Sequence, residues 1–402
     1  MLTLHSLIII VTLFGVGVGR LPKLRMNRAT IALVGAGLLI ITDAIELGQA
    51  YTSVDWDTIL LLFAMMILNI NLSLAGFFQL IAAKIIRFAS TPKQLLLVII
   101  FSSGILSALF LNDTICLMFT PLVLEIAITL KRNPIPYLMG LAVSANIGSA
   151  ATIVGNPQNM IIGISSGISF VDFASALLPV SILSLFVGWI VILFVYRKEF
   201  ADNKFELPQI SIIRIYKPLL IKSTLATLIM IAAFIYGFSI PLSAFAAACL
   251  LLVTRRLKPE RVFREIDWSL LVFFAALFIV TGAIETTGIS NYLFSKIESF
   301  ICDNVVNLSV ISAVLSNLVS NVPAVLLFRP IITTCPDPTN SWLILAMATT
   351  FAGNLTLIGS VANLIVAESA KKRGIDLSFI EYLKSGFLIA VISIIIGISF
   401  FL

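Results

Sequence analysis

Polar residues suited to binding ions or small solutes lie inside two apolar stretches of this sequence. In the first, ILSALFLNDTICLMF, the string Asn112-Asp113-Thr114 lies far from the charged loops. An ionisable side chain at such a place is costly in lipid and marks an ion or substrate pathway by default. Asp113 would carry a proton or ligate Na⁺. Its structural alternative is to cap a half-helix that begins near Thr114, and the two roles are compatible.

The second stretch, NIGSAATIVGNPQNMIIG, covers residues 146–163 and contains residues poorly suited to a continuous helix. Gly155, Asn156 and Pro157 combine a flexible residue, a polar one and one without an N–H, so they predict a helix break at mid-span. In hydrocarbon, such a break survives only where protein or a water-filled cavity surrounds it. The N-terminus of a half-helix suits an anion, whereas unwound carbonyl groups suit a cation such as Na⁺.

The composition shows that membrane helices must position these residues. The 402 residues are 59% hydrophobic and 11% charged, with a mean hydropathy of +1.10. A soluble domain has about 25% charged residues. Several apolar stretches approach the roughly 20 residues of a transmembrane helix. The first, SLIIIVTLFGVGVG, lacks a basic n-region and a cleavage site, so we interpret it as a retained helix rather than a signal peptide.

The residue inventory argues against metal, enzyme and nucleic-acid functions. The four cysteines have no C-x-x-C spacing and His5 is the only histidine, so no cofactor is expected besides a coupling H⁺ or Na⁺. An intramembrane serine protease would need an embedded histidine. An aspartyl protease would need two facing aspartates, and Asp113 is the one good candidate. The basic residues sit in short loops between apolar stretches, which is a topology signal rather than a nucleic-acid site.

The basic loops predict how the helices are oriented in the cell membrane. Basic residues cluster at 20–28, 84–93, 131–132, 197–217, 255–264 and 371–373. These loops are expected on the cytoplasmic side. The result is a multi-pass protein with ten crossings, two hairpin-like segments at 94–128 and 305–334, and both termini outside. The first hairpin is either re-entrant or a tight helical pair.

Three blocks of sequence recur at nearly one separation. VDWDTILLLFA (54–64) resembles IDWSLLVFFAA (266–276) 212 residues later, NDTICLMFTP resembles NVPAVLLFRP after 209, and TIVGNPQNMIIG resembles TLIGSVANLIVA after 204. The chain is thus predicted to contain a first repeat (1–196), a cytoplasmic linker (197–217) and a second repeat (218–402). Each half has five crossings, an odd number, so the second lies inverted, as in secondary transporters that bind solute at the repeat interface. The expected fold is an all-α polytopic membrane protein in which each half has a re-entrant hairpin and a broken helix.

The paired motifs define the predicted substrate- and ion-binding residues, which lie at the two hairpin tips and the two helix breaks. They are Asn112, Asp113, Thr114, Asn146, Thr152, Gly155, Asn156, Asn159, Asn317, Ser320, Asn321, Asn354, Thr356, Gly359, Ser360 and Asn363. Single polar residues in membrane helices more often join helices than bind ligands, so pairing by the repeat is what favours a role in the substrate path. Asp113 is the predicted coupling carboxylate, and its counterpart is Val322. A Na⁺ site is expected near Asp113, Gly155 and Gly359.

These motifs, in this order, resemble the ion transporter superfamily of arsenite permeases, citrate transporters, NhaD-type antiporters and divalent anion–sodium symporters. The likeness covers nearly the whole chain. The strings N-D…T-P, from Asn112 to Pro121, and S-N-x-x-x-N-x-P, from Ser316 to Pro323, most resemble the arsenite permease branch. Dicarboxylate symporters show Ser-Asn-Thr at both hairpin tips, which argues against a dicarboxylate substrate. The resemblance implies two re-entrant hairpins and two broken helices around the site, elevator-like alternating access in some branches, and a homodimer.

The sequence therefore predicts a secondary active transporter that moves a small anion or oxyanion-type solute, coupled to H⁺ or Na⁺ by alternating access. A sodium–proton antiporter without an anion substrate is the alternative within transport, and a passive channel is the alternative without coupling. The expected partners are the lipid bilayer and the solute. The residues do not decide whether an ATPase subunit joins the protein, as one does in some arsenite systems.

Overall fold

The computed structural model describes residues 2–21, 26–201, 215–253, 258–287, 298–302 and 304–402. The first half contains the helices α1 (Leu2–Val18), α2 (Arg28–Ile41), α3 (Leu47–Ser53), α4 (Trp56–Ala75), α5 (Phe77–Ile86), α6 (Pro92–Leu109), α7 (Asn112–Thr129), α8 (Pro134–Ser149), α9 (Pro157–Ser166) and α10 (Phe170–Val195). Between α1 and α2, the two-residue strands β1 (Arg20–Leu21) and β2 (Met26–Asn27) pair antiparallel.

The second half contains the same kinds of element. Its helices are α11 (Lys217–Ile235), α12 (Ile240–Leu252), α13 (Pro259–Glu265), α14 (Trp268–Thr286), α15 (Glu298–Cys302), α16 (Val305–Val319), α17 (Asn321–Ile332), α18 (Pro338–Ala352), α19 (Val361–Lys371) and α20 (Phe379–Phe401), with a 3₁₀ turn at Leu357–Gly359 before α19. Most of the predicted linker, residues 202–214, lies outside the described residues.

Seven helices in the described part of the chain are long and apolar enough to cross a membrane, namely α4, α6, α7, α10, α11, α14 and α20. Five of these, all except the hairpin arms α6 and α7, are predicted crossings. Three further predicted crossings correspond to the shorter apolar helices α1, α2 and α12, of 17, 14 and 13 residues. The remaining two correspond to the interrupted pairs α8–α9 and α18–α19. The all-α membrane architecture is confirmed, whereas the ten-crossing topology stays a prediction.

Both hairpin-like segments are helical hairpins. The arms of the first, α6 and α7, have 18 residues each, and those of the second, α16 and α17, have 15 and 12. At about 1.5 Å per residue, the arms of the second are shorter than roughly 30 Å of hydrocarbon, as are the short predicted crossings α2 and α12. A re-entrant hairpin, whose tip ends inside the membrane, therefore stays a prediction.

Local sequence determines where the helices around the site begin. Thr91 and Asn133 cap α6 and α8 with their side-chain oxygens. Pro92, Pro134 and Pro157 occupy the first positions of α6, α8 and α9. Proline is tolerated there because the first N–H groups of a helix have no partner within the helix.

The duplication seen in the sequence extends to the helix boundaries. Helices α2, α3 and α4 begin at Arg28, Leu47 and Trp56, and helices α12, α13 and α14 begin 212 residues later in each case. The hairpins, the interrupted helices and the final long helices then follow in the same order in both halves. The short helices α3, α5 and α13 were not predicted, because a few helical turns of mixed polarity do not give the long apolar stretch by which a membrane span is recognised.

The two halves pack on each other reciprocally. Helix α2 packs against α14, and its counterpart α12 packs against α4. Likewise α19 packs on α7 and α9 packs on α17, while α10 and α20 pack together. Such an exchange of equivalent surfaces is what a two-fold relation produces. The inversion of the second half across the bilayer stays a prediction.

A disulfide joins Cys302 in α15 to Cys335, just after α17. Both cysteines lie at loops predicted to be outside, where the compartment favours disulfides. Of the other two cysteines, Cys116 is buried and Cys249 is exposed.

In a Cys249→Ser variant on whole cells, we expect a membrane-impermeant maleimide to label the protein only after treatment with an impermeant reductant. The reason is that both disulfide cysteines face outward in the predicted topology. A Cys302→Ser, Cys335→Ser double variant on the same background is the control and should stay unlabelled. Labelling that requires permeabilised membranes would contradict the orientation.

Candidate functional site

The tip of the first hairpin is fastened to the break between α8 and α9. The Asn112 N–H at the start of α7 donates to the Gly155 carbonyl at 3.0 Å. The Thr152 hydroxyl donates to the carbonyl of Ala108, near the end of α6. These two bonds satisfy one carbonyl of the break, that of Gly155, and one carbonyl of the hairpin, that of Ala108, as burial in a membrane requires.

The second hairpin is fastened to its own break in the equivalent place. The Thr356 hydroxyl donates to Asn317 Oδ1 at 2.9 Å, and the Asn317 amide donates to the Ala352 carbonyl at 2.5 Å. Ser316 Oγ donates to Asn321 Oδ1 at 2.6 Å. Positions 108 and 317 are equivalent by the 209-residue spacing, as are 152 and 356 by the 204-residue spacing.

Ser320 connects the two arms of the second hairpin in a strained conformation. Its φ of 82° and ψ of 157° lie in a region that is essentially reserved for glycine. Such strain costs about 1–3 kcal/mol and is kept at functional sites when the surroundings enforce it. We therefore expect Ser320→Gly to raise the melting temperature in detergent, whereas Ser320→Ala keeps the strain and should not. Equal melting temperatures for the two variants would rule out stored strain.

Each break is capped and clamped by polar side chains of the half-helix that follows it. Asn156 caps α9, with its side chain accepting the Asn159 N–H at 2.8 Å. The Asn159 amide then donates to the carbonyls of Ser149 (3.1 Å) and Thr152 (3.0 Å). These carbonyls have lost their helical partners because the helix stops at Ser149.

The second break uses the same device at equivalent positions. Ser360 caps α19 by accepting the Ala362 N–H at 3.2 Å. The Asn363 amide donates to the carbonyls of Gly353 (2.7 Å) and Thr356 (3.3 Å). Asn159 and Asn363 thus hold the shape of the two breaks.

Side-chain hydrogen bonds cross between the two breaks in a reciprocal pattern. Asn146 donates to Asn363 Oδ1 at 3.0 Å and accepts from Ser360 Oγ at 2.9 Å. Thr350, which the 204-residue spacing pairs with Asn146, donates to Asn159 Oδ1 and accepts from the Asn156 amide, both at 3.4 Å. Thr350 was not among the predicted residues. It could have been predicted from its position, which is equivalent to that of Asn146 in the repeat.

Asn146 is the centre of this network. Besides the bonds to Asn363 and Ser360, it donates to Asn354 Oδ1 at 2.8 Å and accepts from the Asn112 amide at 3.2 Å. The Asn354 amide donates in turn to the Val143 carbonyl at 3.1 Å. All these side chains are buried.

Replacing Asn146 by alanine should therefore be strongly destabilising. It removes a hydrogen bond from four buried side chains and leaves two polar groups, Asn112 Nδ2 and Asn363 Oδ1, with no other hydrogen bond among the described residues. An unsatisfied buried group costs about 1–3 kcal/mol, so we expect a loss of about 3 kcal/mol or more in the free energy of unfolding. The matched control is Asn71→Ala. Asn71 is equally buried, but its one hydrogen bond among the described residues goes to Ile67 in its own helix. Similar losses of stability for the two variants, measured by thermal unfolding in detergent, would contradict the central role of Asn146.

A cavity of about 520 Å³ lies where the hairpin tips and the half-helix starts meet. The buried residues at its inner end include Asn112, Gln158 and Ser360. The half-buried Arg28 and the exposed residues Asp267, Ser269 and Glu368 also line it, and we call these four residues the mouth. The mouth lies at the start of α2, the start of α14 and the last part of α19.

The predicted site residues divide into two groups. Those that line the cavity are Asn112, Asp113, Ser320, Asn321, Gly359 and Ser360. Those placed beside it, in the tips, the breaks and the hydrogen-bond network, are Thr114, Asn146, Thr152, Gly155, Asn156, Asn159, Asn317, Asn354, Thr356 and Asn363. Thr114 faces α4, where it accepts a hydrogen bond from Asn69 at 3.4 Å.

Asp113 is half-buried in the first turn of α7 and faces the cavity. The alternative interpretation of Asp113 as a helix cap is wrong. Helix α7 begins at Asn112 rather than near Thr114, and its N-cap is Leu111, which makes no side-chain cap. The Asp113 carboxylate accepts no hydrogen bond from the residues that the structure describes.

Two charged residues of the cavity were missed by sequence reasoning. Arg28 was interpreted as one of several loop charges, and Asp267 as part of a repeated Asp-Trp motif. Both line the cavity, and their charges act on the Asp113 carboxylate. No sequence signal separates Arg28 from the neighbouring basic residues. The sequence does show that Asp267 lies directly before the tryptophan that begins α14, as a residue of the repeated Asp-Trp motif.

Oxygen atoms crowd the two glycines near which a Na⁺ site is predicted. A Cβ on Gly155 would overlap the Ser149 carbonyl oxygen and lie 2.8 Å from that of Ser107. A Cβ on Gly359 would lie 2.9 Å from Asn317 Oδ1. Oxygen ligands of this kind suit hard cations. Within the described ranges, no three His, Cys, Asp or Glu side chains form a metal-binding group.

Known proteins with similar sequences are named as transporters or as membrane proteins. The silicon efflux transporter LSI3 of Oryza sativa subsp. japonica is 31% identical, over 94% of this chain and 93% of its own. The 46 kDa membrane protein of Mycobacterium leprae is also 31% identical, over 96% of both chains. The putative transporter arsB of Dictyostelium discoideum is 27% identical, over 93% of this chain and 87% of its own.

The fold has a counterpart among solved structures, and the sequence matches a family model. The crystal structure of the YdaH transporter of Alcanivorax borkumensis superposes with a TM-score of 0.53 over 99% of this chain and 96% of that chain, at 14% identity, which supports the fold alone. A family model described as citrate transporter matches residues 7–352. The resemblance to the ion transporter superfamily is confirmed, and the protein is a multi-pass membrane transporter and not an enzyme. The chain belongs to the citrate transporter family.

Proposed function

We propose that this protein is a secondary active transporter of the cell membrane that moves a small anion or oxyanion-type solute. The solute would be coupled to H⁺ or Na⁺ by alternating access. The observation that carries the proposal is the cavity between the two hairpin tips and the two half-helix starts. It combines uncharged hydrogen-bonding groups such as Asn112, Gln158 and Asn321 with the carboxylate of Asp113.

The size and lining of the cavity fit this solute class. Its volume of about 520 Å³ exceeds what a bare ion needs and holds a small hydrated solute. The start of α19 at Val361 lines it, and the free N–H groups and positive dipole end of a helix favour an anion. Asp113, in the adjacent first turn of α7, supplies the group that binds the coupling ion.

The position of the mouth supports a state open to the cytoplasm. Arg28 and Asp267 follow the basic loops at 20–28 and 255–264, and Glu368 precedes the basic residues 371–373. All three loops are predicted to be cytoplasmic. In the proposed cycle, solute and coupling ion enter or leave through this mouth in the present state.

The names of two relatives narrow the solutes worth testing. One relative is named for silicon efflux and another is named arsB. We therefore propose a thermal-shift screen of the purified protein against silicate, arsenite, phosphate, sulfate, citrate and Na⁺ across pH. The proposal predicts stabilisation by one solute of this panel, lost in Asn321→Ala, which removes a cavity-lining amide. Asn159→Ala and Asn363→Ala are less direct, because both residues clamp the breaks.

Transport in proteoliposomes tests the coupling. A secondary transporter accumulates the identified solute against its gradient when a pH or Na⁺ gradient is imposed, whereas a passive channel gives no uphill accumulation. Failure of both gradients to drive accumulation would overturn the proposed coupling.

One observation favours the alternative, a sodium–proton antiporter without an anion substrate. Three carboxylates, those of Asp113, Asp267 and Glu368, line the cavity together, and carboxylates suit cations. The antiporter predicts Na⁺-dependent proton movement that no solute of the panel changes. An anion transporter instead predicts that the movement of the coupling ion depends on the presence of the solute.

Assembly as a homodimer, and a Na⁺ site at the oxygen-lined glycines Gly155 and Gly359, are further parts of the proposal. Light scattering of the detergent-purified protein tests the first. Stabilisation by Na⁺ but not by K⁺ at matched ionic strength tests the second.

A further inference from the structure

The cavity contains a charged group, Arg28, that the site motifs do not include. Arg28 is the first residue of α2 and lines the mouth. A Cβ on Gly19 would lie 3.2 Å from Arg28 Nε, so the absence of a side chain at Gly19 leaves room for the guanidinium. Among the described residues, no carboxylate forms an ion pair with Arg28.

Arg28 is one of two charged residues of the cavity that act on Asp113. The charges of Arg28 on α2 and Asp267 at the start of α14 both act on the Asp113 carboxylate. Glu368 on α19 lines the same cavity, and Cys116 lies one turn further along α7. Asp113 therefore has one cation and another carboxylate within electrostatic range.

These charges break the symmetry of the repeat. The counterpart of Arg28 in α12 is Ile240, and the counterpart of Asp113 in α17 is Val322. The second copy thus lacks both the cation and the acid, so the charged arrangement is not inherited from packing that both halves share.

Asp267 has a counterpart of the same type, Asp55, but the two are used differently. Asp55 accepts from the Thr58 N–H with one oxygen and from the Thr58 hydroxyl with the other, both at 3.1 Å. Position 270 holds Leu270 in place of that threonine. Asp267 consequently caps α14 with Oδ1 at 3.0 Å, while its Oδ2 accepts no hydrogen bond from a described residue. Its charge remains directed at the cavity.

We propose that Arg28 is the anion-binding cation of this cavity and that Asp113 controls it, so that the coupling ion and the anionic solute bind together. A guanidinium presents paired donors that match an oxyanion. While Asp113 and Asp267 are both charged, an entering anion meets their carboxylates, that of Glu368 at the mouth, and a cation whose field Asp113 partly cancels. A proton or Na⁺ on Asp113 removes one negative charge and leaves Arg28 available. The inference rests on the proposed transport of an anion.

The test measures the half-saturating concentration of the anion that stabilises the wild-type protein, with sulfate and inorganic phosphate as probes, and with arsenite, which is mainly uncharged at neutral pH, as a comparison. We expect Arg28→Gln to raise that concentration for the anionic probes at least tenfold and Arg28→Lys to raise it less. Arg373→Gln is the matched control. Arg373 is an exposed arginine that donates to the Pro121 carbonyl and does not line the cavity, so this variant should stay within twofold of wild type.

Two further variants are expected to change anion binding in ways that a misfolded protein would not show. Asp267→Asn keeps a capping side chain but removes a negative charge, so it should bind the anion more tightly than wild type. Asp113→Asn should bind the anion with an affinity that no longer depends on pH or Na⁺. Unchanged anion affinity in Arg28→Gln, or weaker affinity in Asp267→Asn, would overturn the inference while leaving the proposed transport intact. A wild-type protein that responds to no anion would instead refute the proposed anion substrate, and the inference with it.

Discussion

Asp113→Asn should reduce uphill solute accumulation in proteoliposomes to the level of liposomes without protein. The substitution preserves the size and hydrogen-bonding shape of the side chain but removes the charge that binds the coupling ion. No second acid replaces it in the equivalent hairpin, because that position is Val322. Solute exchange between equal concentrations on the two sides needs no coupling ion and should persist.

The control for this prediction is Asp57→Asn. Asp57 is an exposed acidic residue in the first turn of α4, just as Asp113 lies in the first turn of α7, and it does not line the cavity. This variant should accumulate solute as wild type does. Full accumulation by Asp113→Asn under a pH gradient and under a Na⁺ gradient would show that the carboxylate does not couple transport.

Gly155→Ala should prevent the protein from folding into a monodisperse, stable form. The new Cβ would overlap the carbonyl oxygen of Ser149 and lie 2.7 Å from its Cα and 2.8 Å from the Ser107 carbonyl oxygen. These are backbone atoms of the break and of the first hairpin, so no side chain can move aside. We expect a loss of about 3 kcal/mol or more, at the upper end of overpacking effects.

Gly37→Ala is the matched control in a helix whose space is open. Apart from the neighbouring residues and backbone of α2 itself, no atom lies within 4 Å of a Cβ built on Gly37. Alanine there should stabilise the helix by about 0.5–1 kcal/mol. Size-exclusion profiles and melting temperatures of the two variants in one detergent provide the measurement. A Gly155→Ala protein as stable as wild type would mean that the break and the hairpin tip are further apart than described.

The architecture was largely predictable because it depends on local signals. Pro157 and the residues before it predicted the first break, and the duplicated motifs extended that prediction to Gly359 and Ser360. The hairpin tips followed from Asn112 and Asn321, because an asparagine inside a long apolar stretch is costly in lipid unless it has a polar partner or a ligand.

The detailed roles within the site depend on tertiary packing and were not predictable. Asn159 and Asn363 are equally suited by type to bind a solute or to satisfy carbonyl groups, and only the positions of Ser149 and Gly353 show that they do the latter. Arg28 is indistinguishable in sequence from other cytoplasmic basic residues. It lines the same cavity as Asp113 because helices from distant parts of the chain pack together, as α2 does on α14.

The unequal packing of two equivalent helix pairs has a consequence for energetics. Helix α4 packs on α9, whereas their counterparts α14 and α19 both line the cavity and do not pack extensively on each other. Since both pairs belong to copies of one motif, a conformer in which α14 closes on α19 while α4 leaves α9 replaces one interface by another of the same kind. The two conformers should then differ little in free energy, and differential binding of small ligands is enough to shift their populations. The remaining difference in free energy between the two conformers would come from side chains that differ at equivalent positions, such as Leu61 and Leu62 on α4 and Phe273 and Phe274 on α14.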